Sequence, residues 1–89
     1  MEGFFYVYVL ISRKDGNFYI GFTNDLKRRL EEHSQGKNIS TCNRLPVELI
    51  YFEGHKSKTD ALKRESYFKT NKGKTTLKMV LCDQLESVI

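Results

Sequence analysis

The feature that most constrains the fold is a hairpin signal near the N-terminus. Asp15-Gly16, within the segment SRKDGN, separates two segments of alternating apolar residues, 4–11 and 17–22. Asp-Gly is a favoured turn between antiparallel strands. The alternating apolar residues are Phe5, Val7, Val9 and Ile11 in the first segment and Phe18, Ile20 and Phe22 in the second. Because side chains in a strand repeat with a period of two, these residues share one face. The sequence therefore predicts an antiparallel hairpin.

The opposite face of this hairpin carries Tyr8, Tyr19 and Gly21. Residues that oppose each other across an antiparallel pair point to the same face. A two-residue turn would pair Tyr8 with Thr23, and a four-residue loop would pair Tyr8 with Gly21, so two registers are open. Both registers place Tyr8 and Tyr19 on one face. Gly21 leaves room there for a ring or a ligand.

A helix is expected next, because Asn24 or Asp25 can cap one that runs to about residue 35 and Gly36 suits its end. Projection at the helical period places Leu26, Leu30 and His33 on the inward face, with Arg29 at its border and Arg28 toward solvent. Of the two neighbouring arginines, Arg29 is the one placed to act inside the molecule.

The rest of the chain predicts one more strand and two more helices. A polar loop, 37–46, precedes the alternating segment 47–53, which Gly54 helps to end. Ser57 or Thr59 starts a second helix that carries Ala61, Leu62, Glu65 and Phe68, and 71–73 breaks it. The third helix starts at about Thr75 with Leu77, Leu81, Leu85 and Val88 as its apolar face. We expect one domain over residues 1–89, since no repeat or linker interrupts it.

The apolar segments and the cysteines indicate where in the cell the protein is found. The apolar run FFYVYVLI is too short to span a bilayer, and no signal peptide precedes it, so we expect a cytoplasmic protein with no membrane association. The isolated Cys42 and Cys82 predict free thiols.

The net charge of +4 is concentrated in the segment 56–78, which holds eight Lys or Arg and two acidic residues. A solvated helix face and a nucleic-acid-binding surface both fit this pattern.

Glu65 is the most informative single residue. The helical projection places its carboxylate among the core-facing residues, where an unpaired charge is costly. An internal salt bridge with Arg29 is one interpretation. The other is a hard-cation site, because Mg²⁺ is often held by one or two carboxylates while water and substrate phosphate complete its shell.

Taken together, these residues resemble the GIY-YIG nuclease family, most closely its small stand-alone bacterial members. Its two short strand motifs are present as YVY at 6–8 and YIG at 19–21, with Tyr6 and Val7 in place of the name-giving glycine and isoleucine. The resemblance continues through FTNDLKRRLEEH and ALKRE, and it covers nearly the whole chain. The family's late asparagine has Asn71 as its nearest candidate.

The resemblance implies an α+β fold, in which about three helices flank a three-stranded antiparallel sheet. It also implies metal-dependent hydrolysis of phosphodiester bonds in nucleic acid, with DNA as the expected substrate, and a role with structured or damaged DNA in repair.

The roles implied by the resemblance fall on particular residues. Tyr8, Tyr19, Arg29 and His33 would be catalytic, Gly21 structural, and Glu65 the ligand of Mg²⁺ or Mn²⁺. The general base would be either Tyr8 or His33, and both alternatives stay open. The nucleic-acid-binding candidates are the basic residues Lys56, Lys58, Lys63, Arg64, Lys69, Lys72 and Lys74, which would contact phosphates without reading bases.

Two other classes of function stay open beside the nuclease. One is a nucleic-acid-binding module on the same fold with little or no turnover, and the other is a structural or protein-interaction domain. We expect no attached DNA-targeting module, in which case a protein partner would supply any strong specificity. We expect a monomer or a weak dimer.

Overall fold

The computed structural model describes residues 3–88, except for the side chains of residues 87 and 88. It is an α+β domain, as predicted. Its elements, in chain order, are β1 (Phe5–Ser12), β2 (Phe18–Thr23), α1 (Leu26–Ser34), β3 (Val47–His55), α2 (Lys58–Phe68), α3 (Asn71–Val80) and α4 (Cys82–Val88). The described residues thus form a fourth helix, where about three were expected.

The three strands form one antiparallel sheet in the order β2-β1-β3, so β1 is the central strand. The loop between β1 and β2 is four residues long, 13–16, because Ile11 pairs with Phe18 and the Ser12 N–H donates to the Asn17 carbonyl. This loop length selects the second of the two possible registers, in which Tyr8 opposes Gly21. Gly16 takes the left-handed conformation, φ 73°, that the loop requires.

The predicted starts of the first two helices are confirmed at one of the two candidates in each case. Asp25 caps α1 by accepting from the Arg28 N–H, and Ser57 caps α2 by accepting from the Asp60 N–H. Gly36 follows α1 with φ 74°, as expected of a residue that ends a helix.

The third helix was predicted wrongly in both its start and its extent. Thr70 caps α3, which begins at Asn71, so the segment 71–73 forms its first turn. Gly73 is there because α3 crosses close to the end of α2, where a Cβ would overlap the Tyr67 carbonyl. The apolar face continues through Leu77, Leu81 and Leu85, but a turn at Leu81 separates α3 from α4. The side chain of Val88 lies outside the described part.

The core lies between one face of the sheet and helices α2 to α4. Its buried residues are Val7, Val9, Ile11, Ile20, Ile50, Ala61, Phe68, Leu77 and Leu81. Helix α1 covers the other face, which carries Tyr8 and Tyr19. Both cysteines are free thiols, and no described helix is long and apolar enough to cross a membrane.

Candidate active site

A chain of buried polar groups lies beneath α1. The Tyr8 hydroxyl is 2.9 Å from Nε2 of His33, and Nδ1 of His33 is 2.7 Å from the Thr41 hydroxyl. Tyr8 comes from the middle of β1, His33 from the last turn of α1, and Thr41 from the loop that follows. None of the three side chains is more than 1% exposed. Both ring nitrogens of His33 are therefore engaged inside the protein.

Gly21 allows this arrangement. It opposes Tyr8 in the sheet, and a Cβ at this position would overlap Cζ and Oη of the Tyr8 ring. The tyrosine ring thus lies directly over the backbone of β2, toward the edge of the sheet.

Tyr19 completes a cluster of three rings. Its ring centroid is 5.1 Å from that of His33 and 6.3 Å from that of Tyr8. Tyr19 is half-buried, whereas Tyr8 is fully enclosed, so solvent reaches the cluster through Tyr19.

Arg29 lies on the same helix as His33, and a third of its side chain is exposed. It lines a cavity of about 190 Å³ together with Thr23, Asn24 and Lys58. Its Nε is buried and has no hydrogen-bond partner among the residues that the structure describes; Glu32, at 3.7 Å, is within ion-pair distance only. A buried donor without an acceptor is unfavourable, and it marks a place where an anionic ligand could bind.

Glu65 lies on α2, with 19% of its side chain exposed. Its ion pair is with Lys69, 3.2 Å away and one helical turn later, and Arg29 pairs with Glu32 instead. A salt bridge between Glu65 and Arg29, one of the two interpretations of Glu65, is therefore absent among the described residues. Both charges still act on Tyr8, since Arg29 lowers the pKa of its hydroxyl and Glu65 raises it.

The pKa values in the cluster favour uncharged groups. Burial, and then the neighbouring Tyr19, raise the pKa of Tyr8 well above its ordinary value of 10.0, and Arg29 only partly opposes this. Burial, and then Arg29, lower the pKa of His33 below its ordinary 6.5. At neutral pH Tyr8 is a phenol and His33 a neutral imidazole. A neutral imidazole has one N–H, so one of its two ring nitrogens accepts a hydrogen bond.

The basic candidates occupy different surroundings. Lys58 lines the cavity beside Arg29, while Lys69 pairs with Glu65. Arg64 donates to Glu53 at 2.8 Å and packs on the Phe68 ring. Lys56 lies over the Phe4 ring. Three further candidates, Lys63, Lys72 and Lys74, are exposed.

Sequence reasoning missed Thr41, which was placed only within a polar loop. Its position against His33 depends on how the loop 35–46 folds back under α1, and no local motif signals that. Asn71, the candidate for the family's late asparagine, opens α3 and is exposed.

A metal site built wholly from protein ligands is not found, since no three His, Cys, Asp or Glu side chains cluster among the described residues. Glu65 is a single, partly exposed carboxylate. That donor fits Mg²⁺ or Mn²⁺ if water and a substrate phosphate supply the remaining oxygens.

The fold and this cluster define a class of protein: a small α+β domain with two tyrosines on its hairpin and an arginine, a histidine and a glutamate on its helices. The family model of the GIY-YIG catalytic domain matches residues 4–78, and the chain belongs to this family. The family consists generally of endonucleases, so its substrate class is nucleic acid.

Proteins similar to this chain are small bacterial ones. A UPF0213 protein of Streptococcus pneumoniae is 50% identical over 68 residues, which span 75% of this chain and 68% of that protein. The UPF0213 protein YazA of Bacillus subtilis is 45% identical over 67 residues, 74% of this chain and 65% of that protein. Among solved structures, the solution NMR structure of the UPF0213 protein BH0048 from Bacillus halodurans has a TM-score of 0.56 at 32% identity, with 86% of this chain and 84% of that chain covered.

Proposed function

We propose that the protein is a metal-dependent endonuclease that hydrolyses phosphodiester bonds in DNA, with structured or damaged DNA in repair as its setting. The observation that carries the proposal is the buried Nε of Arg29, a cationic donor without an acceptor among the described residues. Arg29 is close enough to Tyr8 to oppose in part the rise that burial causes in the pKa of that hydroxyl. A phosphoryl oxygen bound in the adjacent cavity would supply the missing acceptor.

The proton of the attacking water would leave through the tyrosine pair. Tyr8 cannot act as a preformed phenolate, because its pKa is raised and not lowered. Neutral His33 can act as the final base if its Nδ1–H donates to Thr41, since Nε2 then accepts from the Tyr8 hydroxyl.

A water at the half-buried Tyr19 would pass a proton to that hydroxyl. Tyr19 would pass its own proton to Tyr8, and Tyr8 would pass its own to His33. The resulting hydroxide forms the new P–O bond, the bond to the 3′ oxygen breaks, and that oxygen takes a proton from solvent.

Arg29 would stabilise the negative charge that builds on the phosphoryl oxygens. Removing one such donor in other enzymes costs about 10² to 10³ in rate. Lys58, in the same cavity, adds a second positive charge beside the bound phosphate.

Glu65 would hold the metal ion. Bound Mg²⁺ or Mn²⁺ supplies Lewis-acid stabilisation of the scissile phosphate and of the leaving oxygen. Lys69 pairs with Glu65. It would be free to contact a phosphate once the carboxylate binds a cation.

The exposed lysines of the basic set would contact backbone phosphates on either side of the cut. Arg64 is the weakest member of that set, since Glu53 already engages its guanidinium. We further propose that the protein acts in the cytoplasm as a monomer or a weak dimer. A protein partner would supply its specificity.

The test is cleavage of labelled branched, single-stranded and duplex DNA in Mg²⁺ or Mn²⁺. We expect Glu65→Gln, Arg29→Ala and Tyr8→Phe each to lower the rate by about 10² or more while the fold is retained. Matched controls are Glu31→Gln and Arg28→Ala, which make the same changes on the exposed side of α1 and should cleave like the wild type.

The alternative is the binding module without turnover. It would replace the nuclease if the wild type does not cut any of these substrates, while salt-dependent binding is the same in the wild type and in folded Glu65→Gln.

A further inference from the structure

Three aromatic side chains form a row on the same sheet face as Tyr8. They are Phe4, Tyr6 and Phe52, which we call the aromatic platform. The ring centroids are 6.4 Å apart between Phe4 and Tyr6 and 6.3 Å apart between Tyr6 and Phe52. Half of Phe52 is exposed, which is unusual for a large apolar residue in the middle of a strand.

The platform is continuous with the active site. Phe52 opposes Tyr8 across the β1–β3 pair, so the two side chains are neighbours on one face. Tyr6 opposes Gly54, which has no side chain to cover the rings; a Cβ there would be 3.3 Å from both Phe4 and Tyr6.

A groove of about 690 Å³ separates the platform from α1. Tyr6 and Phe52 form its sheet side, and Leu26 and Leu30 form its helix side. Apolar walls on both sides suit a flat ring, and each aromatic ring offers a face or an edge on which a base can stack.

Two basic side chains lie beside the groove and the platform. Lys27 lines the groove, and the Lys56 ammonium lies 4.6 Å from the centroid of the Phe4 ring of the platform. Asp25 is the acidic residue that lines the groove, and it is engaged by Arg28 at 3.6 Å and as the cap of α1. Because Arg28 offsets the charge of Asp25, the positive charges of Lys27 and Lys56 favour a polyanion with aromatic groups over a purely apolar partner.

Asn24 connects the groove with the Arg29 cavity, because it lines both. A strand whose phosphate lies beside Arg29 can pass over Asn24 and enter the groove. Bases paired within a duplex have both faces covered by their neighbours, whereas an unpaired base has a free face to stack.

We propose that the aromatic platform binds unpaired bases of DNA next to the scissile phosphate, so that the substrate class is DNA with a single-stranded segment. This inference rests on the proposed nuclease function for the orientation of the strand, but the binding itself can be measured without cleavage.

The chain has no tryptophan, so Phe52→Trp introduces a single fluorescent reporter on the platform. Binding is measured in EDTA with a short oligothymidylate and with a blunt hairpin duplex. We expect the oligothymidylate, but not the duplex, to quench the emission. The matched control is Met79→Trp on α3, where the side chain is 73% exposed and the emission should not change.

A second variant measures affinity. Phe52→Ala should weaken oligothymidylate binding roughly tenfold, as expected from the loss of one base–aromatic stack, and Phe52→Tyr should restore it. Unchanged affinity in Phe52→Ala, or no quenching at position 52, would overturn the proposal. So would a wild-type dimer that Phe52→Ala converts to a monomer without any loss of affinity, since the platform would then be an interface between copies.

The two proposals fail separately. Quenching at position 52 without any cleavage by the wild type would leave the base-binding site standing and remove the nuclease. Cleavage by the wild type without quenching at position 52 would support the nuclease and rule out the base-binding site.

Discussion

The two faces of β1 are stabilised by different kinds of interaction. One face contributes Val7, Val9 and Ile11 to a core of apolar side chains against α2, α3 and α4. The other face places Tyr8 against His33 and Gly21 beneath α1. Both faces are equally buried, yet only the second contains polar groups that require specific partners.

The difference lies in how each face tolerates change. Apolar packing is non-directional and scales with buried area, so its energy is spread over many contacts. A buried hydroxyl or imidazole needs a partner in the right direction, and the loss of that partner leaves an unsatisfied group. We therefore expect substitutions on the core face to lower stability first, and substitutions on the tyrosine face to lower activity first.

The largest effect on stability is expected from Phe68→Ala. Phe68 is 1% exposed, and its ring packs against Tyr51 and under the Arg64 guanidinium. Its truncation should lower the free energy of unfolding by about 3–5 kcal/mol, measured by urea denaturation. The matched control is Met79→Ala on the exposed side of α3, which should change it by less than about 0.5 kcal/mol.

The same variant tests the division between the faces. Cleavage by the folded fraction of Phe68→Ala, measured well below its denaturation midpoint, should equal that of the wild type. A loss of rate in that folded fraction would show that the core face also sets the geometry of the tyrosine face.

The sequence predicts the core face well, because period-two and helical patterns report directly which side chains turn inward. The first strand, predicted over 4–11 and found at Phe5–Ser12, follows from such a pattern. The cap of α1 was narrowed to Asn24 or Asp25, and the structure selects Asp25. The break at Leu81 was missed because the apolar spacing continues unchanged from Leu77 to Leu85, while the backbone turns between α3 and α4.

The tyrosine face is only partly predictable. A period of two places Tyr8 and Tyr19 together, and the helical projection turns His33 inward, but the pairing register depended on a loop length that the turn motif left open. The pairing of Glu65 with Lys69 is an i,i+4 contact along α2, a local spacing that the sequence already contains. The position of Thr41 depends on tertiary contacts. The direction of the Tyr8 pKa shift likewise depends on burial, which no local spacing reports.

A smaller effect, on both stability and activity, is expected from Gly21→Ala. The added Cβ would overlap the Tyr8 ring, so either the strand or the ring must move. Such overpacking costs about 1–3 kcal/mol. Displacement of Tyr8 would also lengthen its hydrogen bond to His33 and reduce the rate of cleavage.

A double-mutant cycle identifies the cause of that cost. If the clash with Tyr8 is responsible, Gly21→Ala should cost less in a Tyr8→Leu background than in the wild type. Equal costs in both backgrounds would place the cause in the backbone of β2 instead.

The smallest effect on stability is expected from Thr41→Val, which keeps the shape of the side chain and removes the hydroxyl that lies 2.7 Å from Nδ1 of His33, the acceptor for Nδ1–H in the proposed tautomer. We expect a loss of roughly 1 kcal/mol in stability, typical of one hydrogen bond. The N–H of the neutral ring should then move to Nε2, which could no longer accept from Tyr8. Nitrogen NMR of His33 would detect this change of tautomer, and Thr41→Ser should reverse it.

The pH dependence separates this positioning role from simple packing. The pKa of His33 is below its ordinary 6.5, so wild-type cleavage should be independent of His33 titration at neutral pH and fall only as the pH drops through that lowered value. The free energy of unfolding should also fall as the pH drops. Below about pH 6.5 the histidine of the unfolded chain binds a proton that the buried His33 ring does not. Cleavage by Thr41→Val should stay low even at pH values where His33 is neutral, because the neutral ring then has the wrong tautomer. A wild-type rate for Thr41→Val at neutral pH would show that Thr41 only fills space and that the proton leaves Tyr8 by another path.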